Sequence, residues 1–325
     1  MPGILKYLAG VETPRTLVFG ITGKQGQSKS RMMSRYGTEI IAGCTPGKGG
    51  QEVDGVPVFD SPFDAVKAFP DLNSAVFFVP AGAVRQAAMD AMDAGLRFLV
   101  LTADGVSSHD EIALKEYAAG KDSVYLGPNT VGLLDTEGYL FGLIGGSATW
   151  AKQNYRPGRV GVISRSGGLS QLLGAFHCRP DLPGPREDGT YGPLWGDDYP
   201  GLSAVVCVGG DPVPGITMLD AALAFQEDPR TEVMAVYGET GTTQENDLAD
   251  AVADGGITKP VVVFLGGKYT RAGVAQSHAG AMIRNDSETW ESKHRALVDA
   301  GIPVVERPDA VFGAVLRALK HGGGK

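Results

Sequence analysis

At 325 residues, 43% hydrophobic and 20% charged, the chain is long enough for two domains that each bury a core, and too mixed in composition to be disordered or fibrous. A net charge of −8 without a basic stripe excludes a surface that tracks nucleic acid or anionic lipid, and no apolar run approaches the roughly 20 residues of a membrane span. Three widely spaced cysteines, Cys44, Cys178 and Cys207, indicate neither a disulfide framework nor a metal knuckle, and an N-terminus without signal-peptide regions points to a cytoplasmic protein.

In chain order, short apolar runs alternate with helical patterns. Strands are predicted at 15–19, 40–43, 75–79, 98–101 and 124–126, with amphipathic helices at 83–94 and 108–119 between them. Strands separated by helices of this length imply βαβ units and a parallel sheet, so the first domain, 1–145, is expected to be Rossmann-like. A polar stretch without clear periodicity, 143–158, marks the boundary. The alternation then resumes in a second domain, 158–325. Its strands are predicted at 159–163, 204–208, 233–237, 261–265 and 304–305, and its helices at 168–176, 216–225, 244–253, 287–300 and 308–319. This is the pattern of a flavodoxin-like doubly wound α/β sheet.

The 47 glycines are about double ordinary usage and show no period, which suits turns and backbone approach to an anionic ligand. The run Gly20-Ile21-Thr22-Gly23-Lys24-Gln25-Gly26 takes a strand through a glycine turn into a helix, whose first free N–H groups would face a pyrophosphate. The spacing is G-x-x-G-x-x-G, and the second strand ends without the acid that a nicotinamide enzyme sets on its ribose. There stands Thr45-Pro46-Gly47-Lys48-Gly49-Gly50 instead, with a cation that is either a solvated turn lysine or a partner for an extra ribose phosphate, as in coenzyme A or NADP. Three more strand ends, at Val79-Pro80, Thr102 to Asp104 and Gly127-Pro128-Asn129, offer walls for a pantetheine arm, or plain turn chemistry.

The second domain opens with Ser164-Arg165-Ser166-Gly167-Gly168, a strand end, tight turn and helix start in which Ser164, Ser166, Gly167 and Gly168 resemble a phosphate cradle. Glu239, between Gly238 and Gly241 beyond a buried strand, is either a surface carboxylate or an acceptor for the N–H of an imidazole. His278, in Gln276-Ser277-His278-Ala279-Gly280-Ala281, is either a structural histidine in a glycine-rich turn or a ring that its small neighbours leave open to a reactive group.

Taken in order, Gly23-Lys24-Gln25-Gly26, Thr45 to Gly50, Gly127-Pro128-Asn129, Ser164 to Gly167, Gly209-Gly210-Asp211-Pro212, Gly238-Glu239-Thr240-Gly241 and His278 to Ala281 resemble the α subunit of succinyl-CoA synthetase over nearly the whole chain. The resemblance implies an acid–thiol ligase whose first domain binds coenzyme A and whose second carries a phosphoryl group on His278, oriented by Glu239. It also implies an ATP-grasp β subunit that binds the nucleoside triphosphate and magnesium; no triphosphate loop of the G-x-x-x-x-G-K-[ST] kind is present in this sequence. Departures fall where the family reads Gly-Pro-Asn-Cys-Pro-Gly and this chain has Gly127-Pro128-Asn129-Thr130-Val131-Gly132, and where Gly168 replaces a threonine. The segment between Cys178 and Ser203, with Pro180, Pro183, Pro185, Trp195 and Pro200, is also longer than in the family. The expected acid is succinate or a related di- or hydroxycarboxylate. The alternatives are an NADP-dependent oxidoreductase and a non-catalytic CoA-binding regulatory protein.

Overall fold

The computed structural model describes residues 3–178, 183–185, 190–193, 199–274 and 278–322; Pro180, Trp195, Gln276, Ser277 and the end of the glycine tail lie outside the described residues. The chain divides into two units, 1–151 with 213–216, and 152–212 with 217–325.

In the first unit, α1 (Ile4–Ala9), β1 (Arg15–Phe19), α2 (Lys24–Tyr36), β2 (Glu39–Cys44), β3 (Glu52–Val53), β4 (Val56–Phe59), α3 (Pro62–Ala68), β5 (Ser74–Phe77), α4 (Ala81–Asp93), β6 (Phe98–Leu101), α5 (Ser108–Ala119) and β7 (Val124–Leu126) follow in order. The sheet runs β3-β4-β2-β1-β5-β6-β7. Apart from β3, which pairs antiparallel with β4, the strands are parallel and follow the Rossmann order, with its switch point between β1 and β5. Phe19 and Phe77 stack across that point at 4.2 Å. Two of these helices start on a serine cap: the Ser61 hydroxyl accepts the Asp64 N–H at 3.1 Å and that of Ser107 the Asp110 N–H at 3.2 Å, each cap worth about 1 kcal/mol. An antiparallel pair, β8 (Gly132–Asp135) and β9 (Leu140–Gly142), completes the unit together with residues 213–216. Those residues dock by backbone bonds from Gly215 to Gly127 at 3.0 Å and from Ile216 to Tyr125 at 2.7 Å.

The stretch 143–158, expected to be irregular, contains a helix, α6 (Ala148–Asn154). Ser147 accepts the Trp150 N–H at 3.2 Å, and Ala148 and Ala151 bury one side. Two turns with two small apolar positions are too short to show a period.

The second unit carries β10 (Pro157–Ser164), α7 (Gly167–Phe176), β11 (Pro183–Pro185), β12 (Tyr191–Pro193), β13 (Leu202–Cys207), α8 (Met218–Glu227), β14 (Val233–Gly238), α9 (Gln244–Ala253), β15 (Val261–Leu265), α10 (Trp290–Asp299), β16 (Val304–Val305) and α11 (Val311–Gly322). Its strands lie in the order β16-β15-β14-β10-β13, all parallel, which is the flavodoxin-like arrangement with the switch point between β10 and β14. Every residue of β13 and β14 is buried, as continuous apolar runs in a parallel sheet require. Helix α8 begins two residues later than its pattern suggests because Thr217 and Asp220 form a capping box. The expected helix 287–300 starts instead at Trp290, capped by Thr289 behind a 3-10 turn, Asp286–Glu288. Within the long segment after Cys178, β11 and β12 form a two-stranded antiparallel pair.

All three cysteines are free and buried. Burial pushes the Cys44 and Cys178 thiols up to about 12.

Candidate active site

The carboxyl ends of β10, β13 and β14 meet at the switch point of the second sheet, and each contributes a loop. Arg165 follows β10, Gly210 and Asp211 follow β13, and Glu239 follows β14. The turn His278 to Ala281 closes over them: Gly280 N–H donates to Gly210 C=O at 3.0 Å, and the Thr240 hydroxyl to Ala281 C=O at 3.4 Å.

His278 Nδ1 lies 2.9 and 3.1 Å from the two carboxylate oxygens of Glu239. With that carboxylate ionised and the imidazole neutral, the proton belongs on Nδ1, which donates, and the lone pair on Nε2. The histidine side chain is 19% exposed and that of Glu239 is 6% exposed. Burial pushes Glu239 up, but the His278 hydrogen bond, aided by the Arg165 and Lys293 charges, outweighs it and leaves the carboxyl below its ordinary range. The same hydrogen bond raises His278 above the usual 6.5 against the opposing effect of burial.

Glycines around the ring are there because nothing larger fits. A Cβ on Gly210 would come within 2.8 Å of the imidazole, one on Gly280 within 2.7 Å of Arg165 Nη2, and one on Gly241, where φ is +77°, within 2.1 Å of Gly280 O. The small residues near His278 thus serve close backbone packing as well as access.

Beneath Glu239 lie three more charged side chains, Arg165, Glu245 and Lys293. Arg165 is wholly buried, its Nη1 donating to Gly241 C=O at 3.1 Å and to the carbonyls of Glu239 and Thr240 at 3.4 Å, with Nε 3.5 Å from Glu239 Oε1. Lys293 and Glu245, also wholly buried, form a close ion pair. Neither was expected from the sequence. The available signal was positional: Lys293 sits in the buried stripe of α10 with Trp290 and Leu297, where a charge is out of place unless paired.

The turn expected to cradle phosphate is only partly open. The Ser164 hydroxyl is buried, donating to Ser166 C=O at 2.8 Å and accepting the Ser166 N–H at 3.1 Å, so it shapes the turn. Ser166 caps α7 by accepting the Leu169 N–H at 3.5 Å. Gly167 and Gly168 open that helix at its positive end, Gly168 exposed to solvent. Among the described residues no hydrogen bond joins this turn to His278.

In the first unit, the expected cofactor residues gather at the ends of β1, β2, β5, β6 and β7. Two of the three motif glycines have packing reasons of their own. Gly20 has φ +74° and faces Phe78 O, where a Cβ would come to 2.3 Å, and a Cβ on Gly26 would lie 2.1 Å from Gly20 O. Gly23, the N-cap of α2, has only Gly20 O nearby at 3.3 Å, and it leads into exposed Lys24 and Gln25. The Thr22 hydroxyl donates to that of Thr45 at 3.3 Å, tying the β1 loop to the β2 loop. Lys48 N–H closes a turn onto Thr45 C=O at 3.1 Å, and with Pro46 the side chain stands exposed. Val79 and Pro80 lead into α4, with Pro80 at its N-cap; Thr102 donates to Phe77 C=O at 2.7 Å; Asp104 is exposed. Asn129 has φ +56° and its N–H donates to Ala103 C=O at 2.8 Å. Next to it, Thr130 is buried and its hydroxyl accepts the Gly132 N–H at 2.9 Å, a bond that shapes the turn.

No cluster of potential metal ligands occurs among the described residues, and no described helix is long and apolar enough to cross a membrane.

Residues 11–105 match the CoA binding domain family and 199–302 the CoA-ligase family. The chain is 34% identical to the ADP-forming sulfoacetate-CoA ligase subunit SauD of Bilophila wadsworthia, over 94% of this chain and 96% of that one. It is 35% identical to the succinate–CoA ligase [ADP-forming] subunit alpha 1 of Archaeoglobus fulgidus, over 95% and 97%. Among solved structures, ATP citrate lyase from Methanothrix soehngenii in complex with citrate and coenzyme A superposes with a TM-score of 0.81 at 26% identity. The match covers 96% of this chain but about half, 51%, of the lyase.

Proposed function

The chain belongs to the CoA-ligase family of the succinate–CoA ligase α subunits, and from that membership we propose that it is the CoA-binding, phosphoryl-carrying subunit of an ADP- or GDP-forming acid–thiol ligase. The observation that carries the reading is the 2.9 Å contact between His278 Nδ1 and Glu239 at the switch point of the second sheet.

In the proposed reaction, Nε2 of His278 attacks the γ-phosphorus of a nucleoside triphosphate and the diphosphate leaves. A carboxylate oxygen of the acid then takes the phosphoryl group from Nε2, giving an acyl phosphate and regenerating the imidazole. The CoA thiol, losing its proton, attacks the acyl carbon, and inorganic phosphate departs. Covalent relay divides one unfavourable condensation into easier steps. Coenzyme A is assigned to the first unit, with the N–H groups after Gly23 facing its pyrophosphate and Lys48 its ribose phosphate. The helix opening at Gly167 and Gly168 is assigned to the phosphoryl group in transit. The nucleotide and magnesium are assigned to a separate ATP-grasp β subunit.

The proposed acid is a small carboxylate bearing a second anionic group, the class that holds both succinate and sulfoacetate, the acids in the names of the two relatives. Those relatives displace the NADP oxidoreductase reading. The ion-paired histidine favours a catalytic chain over a regulatory one. The test is to incubate the complete enzyme with γ-labelled triphosphate: acid-labile, base-stable label is expected on this chain and absent from His278→Ala. Label that survives the substitution refutes the assignment.

A further inference from the structure

Glu239 is held at its backbone as well as its carboxylate. Its N–H donates to Glu245 Oε1 at 2.9 Å, its C=O accepts from Lys293 Nζ at 2.7 Å, and Lys293 also reaches Gly241 C=O at 2.6 Å. The other Glu245 oxygen closes the ring on Lys293. Both clamp residues are wholly buried and come from different helices, Glu245 from α9 and Lys293 from α10. Gly238 leaves the space in which Glu245 lies, since a Cβ there would come within 2.6 Å of Glu245 Cγ.

A buried ion pair is a poor source of stability, because desolvating both charges offsets their attraction and an apolar pair would pack as well. What the pair offers that an apolar one does not is directed bonds to particular backbone atoms. Here those bonds fall on the two peptide groups flanking the Glu239 Cα, which leaves the side chain one origin and one direction, toward Nδ1 of His278.

We infer that Glu245 and Lys293 are positioning residues: they clamp the Glu239 peptides so that its carboxylate stays on His278 Nδ1, and through it they fix the imidazole tautomer that leaves Nε2 nucleophilic. Neither touches His278. The inference rests on the reading of His278 as the nucleophile for its purpose, but its test needs no phosphoryl donor.

The experiment uses the full chain labelled with 15N-histidine, at a pH where His278 is neutral. Nuclear magnetic resonance of the ring nitrogens is expected to show one tautomer in the wild type, with Nδ1 protonated. In Lys293→Met, a substitution of similar length, the His278 nitrogens should shift toward the average of two tautomers. In Glu239→Gln, which already loosens the tautomer, adding Lys293→Met should change nothing further. Should Lys293→Met fail to fold, as judged by circular dichroism and melting, Glu245→Gln carries the same comparison, because it keeps the volume and removes the charge facing Lys293. A folded variant with the wild-type tautomer, or equal shifts with and without Glu239, overturns the inference. A chain whose tautomer is clamped but which never takes label would refute the phosphohistidine reading alone.

Discussion

Gly210 and His278 are packed so closely that the missing side chain of one sets the position of the other: a Cβ on Gly210 would lie 2.8 Å from both Cγ and Cδ2 of the imidazole. Gly210→Ala should therefore push the ring off Glu239 without adding or removing charge. Displacement by a fraction of an ångström to an ångström at a reacting group costs up to about a hundredfold in rate. The expected result is a self-phosphorylation rate reduced by about that factor with unchanged coenzyme A affinity. A rate within twofold of wild type would show that the ring has room this packing denies it.

The acid limb of the pH profile should report the His278–Glu239 pair. Hydrogen bonding to Glu239 raises the histidine above 6.5, so its nucleophilic, neutral form emerges only as pH climbs through that raised value. The pair's contribution to stability runs the other way for the imidazole. It is fully present below the unfolded value of 6.5 and is lost as pH rises through the folded one. For Glu239, held below 4.5, the contribution is present above that value and lost as pH falls through the folded one. Phosphorylation rates measured against pH should thus inflect above 6.5 in the wild type, and Glu239→Gln should move the inflection down while lowering the plateau. An inflection that stays in place would remove Glu239 from the site.

Lys48 is exposed beyond β2, so the proposed contact with a ribose phosphate would change affinity by roughly tenfold. Titration calorimetry should show Lys48→Ala losing about that factor for coenzyme A and little for dephospho-CoA. Equal losses for the two ligands would assign the lysine some other work.

Purified alone, the chain should neither label itself nor make acyl-CoA with ATP or GTP, since no triphosphate loop of the G-x-x-x-x-G-K-[ST] kind occurs in its sequence. Both activities should appear on adding an ATP-grasp subunit. Robust turnover by the lone chain would overturn the division of labour.

Much of the fold was legible because parallel strands are buried on both faces and so appear as unbroken apolar runs: 98–101, 124–126 and 261–265 have the same limits in sequence and structure. The β3-β4 hairpin escaped because Val53 and Val56 to Phe59 are short and mostly half-buried, which blurs the pattern. The pairing of His278 with Glu239 was expected from the order of the motifs rather than from either residue alone, and the two lie in contact. Glu245 and Lys293 were not legible, since a carboxylate in the first turn of one helix and an ammonium inside another look like solvated charges until tertiary packing brings them together 48 positions apart. The three tight glycines at 210, 241 and 280 were readable as small residues, but the backbone crossings that require them exist only in three dimensions.

The burial of the cysteines bears on the fidelity of the proposed chemistry. An acyl phosphate transfers its acyl group to any thiolate it meets, and a surface cysteine near it would divert turnover into a dead thioester on the protein. This chain keeps Cys44, Cys178 and Cys207 inside the fold, the first two with their thiols held protonated to about 12. On the proposed chemistry, the one competent sulfur nucleophile is the one the substrate brings, and the enzyme is protected from acylating itself by where its own sulfur atoms lie.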